Sequence, residues 1–337
     1  MYPHLPIPTE IAFEPVNLCN AKCFCCPYSW LGEDKNYTSK KMSHEQIEIL
    51  MNDFAGLLKK HNVAPWTAHI QPWRYSDPLV CKDLEMICEI ADKNKIQVII
   101  TTNGISFTEK NCKIIDKYKH LIKKLNISII GFNDKEIREQ MGVNWEVTKQ
   151  RLLKVKKDYP EVSKLMRIGL KHRDHQTIDN AMKSKLRNDF QRYTLGIVKV
   201  KTNWLNNRLG DGDGKWVEHK EFAISQKTFV QGCAMDFGKI FRRLEVLVDG
   251  TAVLCCDDVD GKTNYGNVFE IGIQGVWNNL RSAHKLIFDK TYSKAKENLI
   301  CNTCARARFK WGDSHKQGVV AQQTNVANQS NLSVTYS

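Results

Sequence analysis

The chain has 337 residues, with 50 Lys plus Arg against 37 Asp plus Glu and a formal net charge of +13. No apolar run approaches the roughly 20 residues needed to span a bilayer, and the N-terminus MYPHLPIPTE lacks the basic-then-apolar pattern of a secretory signal, so the sequence predicts a cytoplasmic protein without a membrane partner. Twelve cysteines in a chain of this length point to metal ligation or redox chemistry rather than to a small disulfide scaffold. The positive charge favours acidic partners, but lysines such as Lys113, Lys117, Lys119, Lys123 and Lys124 follow helix-like segments and read as a solvated face. No nucleic-acid-binding motif accompanies them, and nucleic acid is not expected as a partner.

In chain order, short apolar runs alternate with longer amphipathic stretches. Strands are predicted at Ile11 to Val16, Thr67 to Gln71, Gln97 to Thr102, Leu125 to Gly131, Lys164 to Leu170 and Leu195 to Lys201. Ser43 followed by Gln46 forms a capping box ahead of Ile47, Leu50, Phe54, Leu57 and Leu58 at helical spacing. Further helices fit Lys82 to Lys93, Lys110 to His120, Trp145 to Asp158 and Thr177 to Gln191. Six strand-then-helix repeats argue for a parallel sheet, either open or closed into a partial barrel. This first domain is expected over residues 8–205, followed by a turn-rich linker over 206–222 that contains NNRLGDGDGK. A smaller α+β domain follows over 223–311, with a hairpin turn at Asp249-Gly250 and a helix from Ile273 to Phe288. Residues 317–337, uncharged and rich in Gln, Asn, Ser and Thr, are expected to be a disordered tail.

The cysteines fall into two groups. Cys19, Cys23 and Cys26 form a CxxxCxxC stretch in the loop leaving the first strand, at the edge where such sheets place their chemistry. Three soft thiolates suit a [4Fe-4S] cluster with one iron left open; a zinc ion with Cys25 as fourth thiolate is the other reading, in which adjacent ligands strain one tetrahedral centre. The second group is Cys233, the Cys255-Cys256 pair and Cys301-x2-Cys304, enough for one closed cluster or one zinc ion. Adjacent side chains on a strand point to opposite faces, so one of Cys255 and Cys256 is left over. Cys81, Cys88 and Cys112 lie on predicted helices and read as core. His172-Arg173-Asp174-His175 reads as a solvated or phosphate-facing loop, and Glu14 as a residue facing the sheet interior.

The stretch EPVNLCNAKCFCC, Glu14 to Cys26, resembles the signature of the radical S-adenosylmethionine (SAM) enzymes, CxxxCxΦC, with Cys25 at the usually aromatic position. The resemblance continues along the chain. YSDPL stands where the family has its GGE motif, Thr102-Asn103-Gly104 resembles its TNG segment, and NISIIGFN resembles its fourth-strand region. It implies a partial (β/α)6 barrel of TIM type, with Cys19, Cys23 and Cys26 on the SAM-binding cluster and Asp77, Asn103, Ser128 and Arg167 near SAM. LCCDD, then YGNV, then VWNNLR resembles the auxiliary-cluster region of the SPASM and twitch subfamilies. That implies a second [4Fe-4S] cluster on Cys233, Cys255, Cys301 and Cys304, with Cys256 as the spare thiol and a candidate hydrogen-atom donor.

The activity so implied is reductive cleavage of SAM and hydrogen-atom abstraction from a substrate carbon, ending in oxidation or epimerisation. The expected substrate is a small carbohydrate-like or anionic metabolite, and the expected electron donor a flavodoxin- or ferredoxin-like protein. Two alternatives stand beside it: a peptide-modifying maturase of the same family, and a zinc-stabilised nucleic-acid-binding protein.

Overall fold

A computed structural model describes residues 5–31, 38–171, 199–203, 229–233, 240–259, 261–304 and 307–310, with scattered helical positions between 180 and 188. The loop His172 to His175, the linker and the tail lie outside the described residues, as does most of the predicted helix Thr177 to Gln191.

The six strand expectations are met by β1 (Glu10–Phe13), β2 (His69–Gln71), β3 (Gln97–Thr102), β4 (Ile122–Ile130), β5 (Met166–Lys171) and β6 (Lys199–Asn203). They pair in parallel and in sequential order, each strand beside the next. A sheet that always steps the same way, with right-handed crossovers, carries its helices on one face, and this decides for the barrel type over a doubly wound sheet. Among the described residues the sheet is not closed: β6 ends one edge.

Among the described residues the helices include α1 (Pro27–Leu31), α2 (His44–Lys60), α3 (Leu84–Lys93), α4 (Glu109–Lys117), α5 (Asp134–Met141), α6 (Trp145–Asp158), α7 (Pro160–Leu165) and α8 (Val268–Phe288). The capping box of α2 is present in both directions, and its Ile47, Leu50, Phe54, Leu57 and Leu58 are buried. Cys81, Cys88 and Cys112 are buried in the core as expected, Cys88 on α3 and Cys112 on α4, whereas Cys81 lies in the turn before α3. Three short helices, α1, α5 and α7, were not expected. α5 buries only Ile137 and Met141, one turn apart, and α7 takes the first residues of the stretch predicted as the fifth strand.

The C-terminal part does not stand apart from this sheet. β8 (Arg243–Val246) pairs in parallel with β1, from Glu10 opposite Arg243 to Phe13 opposite Val246. β9 (Ala252–Val253) folds back on β8 through the expected Asp249-Gly250 turn, and one eight-stranded sheet results. α8, kinked at Gly272, packs against α2. Its Trp277 donates to the Leu5 carbonyl at 2.9 Å, and Ile273 donates its amide to Asp53 of α2 at 2.7 Å. A separate two-stranded sheet joins β7 (Phe229–Cys233) to β10 (Ala307–Lys310), with Ala307 opposite Cys233.

Candidate active site

The first cysteine loop leaves β1 and is held by main-chain bonds on both sides. Lys22 donates its amide to the Met141 carbonyl at 2.8 Å and Phe24 to that of Gln140 at 3.0 Å, at the end of α5. Helix α5 ends on Gly142 in the left-handed region (φ 65°), where an added Cβ would meet Lys22 at 3.3 Å. Cys26 turns back to donate to the Cys23 carbonyl at 2.9 Å, and α1 starts there. Cys23 is pushed well above the ordinary thiol range by burial first and by its neighbours Cys26, Cys25 and Cys19; Lys171 of β5 pulls the other way. The loop thus gathers all four thiols, and Cys25 is buried in the core at the Φ position.

The loop after β2 carries Arg74, Tyr75, Ser76 and Asp77, all but Tyr75 buried. Asp77 caps the short 3-10 turn Pro78–Val80 by accepting from the Leu79 amide at 2.9 Å. The same carboxylate accepts from the Thr102 hydroxyl at 2.8 Å and the Asn103 amide at 2.7 Å. Those three donors occupy most of its acceptor capacity, so Asp77 braces the TNG segment from below. Gly104 completes that segment at φ 86°, where an added Cβ would meet Thr148 at 3.1 Å. Asn103 then reaches the cysteine loop: its side-chain amide lies 3.6 Å from Cys19 Sγ and donates to Asn20 Oδ1 at 2.7 Å. Ser76 Oγ is buried and has no hydrogen-bond partner among the described residues. Such an orphaned hydroxyl fits a polar ligand, such as the amino-acid end of SAM, at this loop.

Half-buried polar side chains line one face of the sheet, in contrast to the fully buried aliphatic face of Leu125, Ile127, Ile129, Ile168 and Leu170. On that face Asn126 donates to Thr101 at 3.2 Å, and Ser128 lies one pleat nearer the carboxyl edge. Arg167 lies on the same face. It is the second residue of β5, opposite Asn126, at the amino end of the strand and four residues from the edge that carries the cysteine loop. The cation of β5 at the carboxyl edge is Lys171, on the same face and beside Cys23. Alternation from Arg167 would have found it, since residues four apart on a strand share a face. Glu14, just past β1, is buried; burial raises its carboxyl, against the Arg74 guanidinium and a hydrogen bond from Tyr28.

The second cysteine group comes together from three elements. Cys233 ends β7, Cys255 and Cys256 follow β9, and Cys301 lies in, and Cys304 caps, a 3-10 turn that precedes β10. All five line one cavity, with Arg243, Glu245 and Asp257. The alternation argument for the Cys255-Cys256 pair does not hold, because the pair lies in a turn after β9 has ended at Val253. Environment separates the two instead. Cys255 is raised far above the ordinary thiol range by burial and by the nearby Asp257, Cys256, Cys301 and Cys304, whereas Cys256 acts on the Arg74 and Arg243 guanidiniums. Asp258 fixes the turn by accepting from the amides of Lys262 at 2.8 Å and Thr263 at 2.9 Å. Among the described residues no three His, Cys, Asp or Glu side chains converge on a single metal ion.

Residues 13–184 match the model of the radical SAM superfamily. The chain belongs to the radical SAM superfamily. Residues 223–305 match a second model, the SPASM iron-sulfur cluster-binding domain. A radical SAM chain with this domain is an iron-sulfur enzyme that works with [4Fe-4S] clusters and SAM, and that membership sets aside a zinc-stabilised nucleic-acid-binding protein. No curated protein matches the chain. Among solved structures, native anSMEcpe with bound AdoMet is 15% identical, covers 95% of this chain and 96% of its own, and has a TM-score of 0.62. Streptococcus suis SuiB bound to precursor peptide SuiA is 17% identical, covers 89% of this chain and 70% of its own, and has a TM-score of 0.52. At such identities the likeness is one of fold. Among the described residues no helix is long and apolar enough to cross a membrane.

Proposed function

We propose that this radical SAM enzyme holds its SAM-binding cluster on Cys19, Cys23 and Cys26 and a single auxiliary [4Fe-4S] cluster on Cys233, Cys255, Cys301 and Cys304. The observation that carries the reading is the placement of Cys19, Cys23 and Cys26 in one stitched loop at one sheet edge, with Asn103 at Cys19 and the orphaned Ser76 hydroxyl one residue before Asp77. Bound cluster and SAM supply the reductive cleavage of SAM that generates a hydrogen-abstracting species. The protein's own groups orient and exclude. Asp77 acts at SAM through the TNG segment it braces, and Asn103 sets the donor environment of Cys19. Ser128 stands on the polar face that receives the nucleoside and substrate.

The substrate is a small anionic or carbohydrate-like molecule and the product one of oxidation or epimerisation. Lys171 supports this: it places a cation beside Cys23 on a face that also carries Thr101, Asn126, Ser128 and, at its amino end, Arg167, groups suited to hydroxyls and an anion. A flavodoxin- or ferredoxin-like protein is the expected reductant. Cys256 is the thiol that this ligand set leaves over. Epimerisation needs a hydrogen-atom donor to the substrate radical and oxidation does not, so normal turnover by Cys256→Ala would exclude the donor role. The substrate class is tested by 5′-deoxyadenosine formation in the presence of phosphorylated or carboxylated sugars and, in parallel, of peptides. Stimulation by the sugars alone is expected, with a Lys171→Ala protein losing it about tenfold; stimulation by peptides alone would make the enzyme a peptide maturase.

A further inference from the structure

The loop after β2 faces two ways. Ser76 and Asp77 serve the SAM side, while the two residues before them reach the C-terminal part, some 170 to 184 positions further along the chain. Arg74 is buried, with Nε 3.2 Å from Glu245 Oε2. Its Nη2 donates to the Cys255 carbonyl at 3.4 Å and the Asp258 carbonyl at 2.8 Å. Tyr75 donates its hydroxyl to the Cys256 carbonyl. Every one of these partners belongs to the cysteine-bearing turn after β9 or to β8 beneath it. Arg243 contacts the other Glu245 oxygen at 2.6 Å and lines the same cavity as the five thiols.

Arg74 and Arg243 bracket the Glu245 carboxylate, with Asp257 at the same cavity and the Glu14 carboxyl beside Arg74, so removing one guanidinium leaves the carboxylates in excess, in surroundings where charge is poorly screened. The hydrogen bonds meanwhile fix the peptide carbonyls of the turn, as groups behind metal ligands do.

We propose that Arg74 and Tyr75 are positioning residues for the auxiliary cluster: they anchor its Cys255 ligand turn to the SAM-binding loop, and the Arg74 guanidinium raises the cluster's reduction potential. The proposal rests on the assignment of Cys233, Cys255, Cys301 and Cys304 as ligands. An electron added to a cluster of thiolate-bound irons increases its negative charge, and a fixed neighbouring cation favours that reduced form. The SAM-side residues Ser76 and Asp77 follow Arg74 and Tyr75 without a break, so the same loop ties the two cysteine sites into one rigid assembly.

The test uses the full chain, reconstituted anaerobically with iron and sulfide, and follows both clusters by EPR-monitored redox titration; the signal that changes on SAM addition marks the first cluster. Wild type should hold about eight irons per chain, twice the four of one cluster. In Arg74→Gln the auxiliary midpoint should move to more negative potential while that of the SAM-responsive cluster stays fixed. Tyr75→Phe, which removes one hydroxyl and no charge, should fold as wild type and move the auxiliary midpoint in the same direction by less, and it decides the matter if Arg74→Gln does not fold. About eight irons with unchanged midpoints in the variants would overturn the inference alone. About four irons in wild type would instead overturn the ligand assignment beneath it.

Discussion

The two cysteine sites of this chain are built in opposite ways. The first takes its thiols from a single eight-residue stretch, Cys19 to Cys26, held by main-chain bonds to the end of α5 and by Asn103. The second draws on three elements between Cys233 and Cys304, and it exists only because β10 pairs with β7 and the β8-β9 hairpin joins β1. A local loop can leave an iron open because the chain geometry around three ligands does not depend on a fourth. A site that cross-links three distant elements with four thiols closes on itself and gains structural weight. On the proposed ligand assignment the first suits binding and chemistry, and the second the holding together of the C-terminal elements.

The largest effect expected from this contrast is at the local site. Cys23→Ala should abolish SAM cleavage and remove about four irons, leaving about four on the auxiliary site; loss of all iron would show that the two sites are not independent. Cys304→Ala should do the reverse: about four irons lost, SAM cleavage in the absence of substrate retained, and the unfolding midpoint lowered, as urea unfolding under argon would measure. An equal loss of SAM cleavage would erase the distinction drawn here.

Asp77→Ala removes the acceptor shared by Leu79, Thr102 and Asn103 and leaves buried donors unpaired, at a cost of about 3 kcal/mol. SAM affinity should fall with stability in that variant, whereas Asp77→Asn should recover part of both.

The smallest effect concerns the seam where β8 meets β1. Burial pushes the Glu10 carboxyl up, but His69, Arg242 and Arg243 outweigh it and hold the group at about 2, below its ordinary 4.5. A depressed carboxylate contributes stability that is complete above pH 4.5 and lost as the pH falls through about 2. The difference in unfolding midpoint between wild type and Glu10→Gln should therefore shrink as the pH is lowered from 5 towards 3. A constant difference would remove Glu10 from the charge network at the seam.

Much of the barrel was legible in the sequence because its signals are local. Alternating apolar runs marked β1 to β6, Ser43 and Gln46 marked the start of α2, and Asp249-Gly250 marked the hairpin. The features that escaped depend on partners. β7 is a short strand containing Gly232 and is defined by pairing with β10, and α5 shows only Ile137 and Met141 to the core. The pairing of β8 with β1 has no counterpart in local pattern at all. At the candidate site, the cysteine spacing and Asn103 were readable, whereas the place of Lys171 at the carboxyl edge depended on where β5 ends. The turn that puts Cys255 and Cys256 into one cavity depended on where β9 ends. Arg74 was invisible for the same reason, since its partners lie in the other half of the chain.

The central claim is that the local site cleaves SAM. Chromatographic detection of 5′-deoxyadenosine, after the fully iron-loaded protein is mixed with SAM and a strong reductant, tests it most directly. The account predicts formation of 5′-deoxyadenosine in wild type and none in Cys23→Ala. A wild-type protein that carries both clusters and forms no 5′-deoxyadenosine would contradict it.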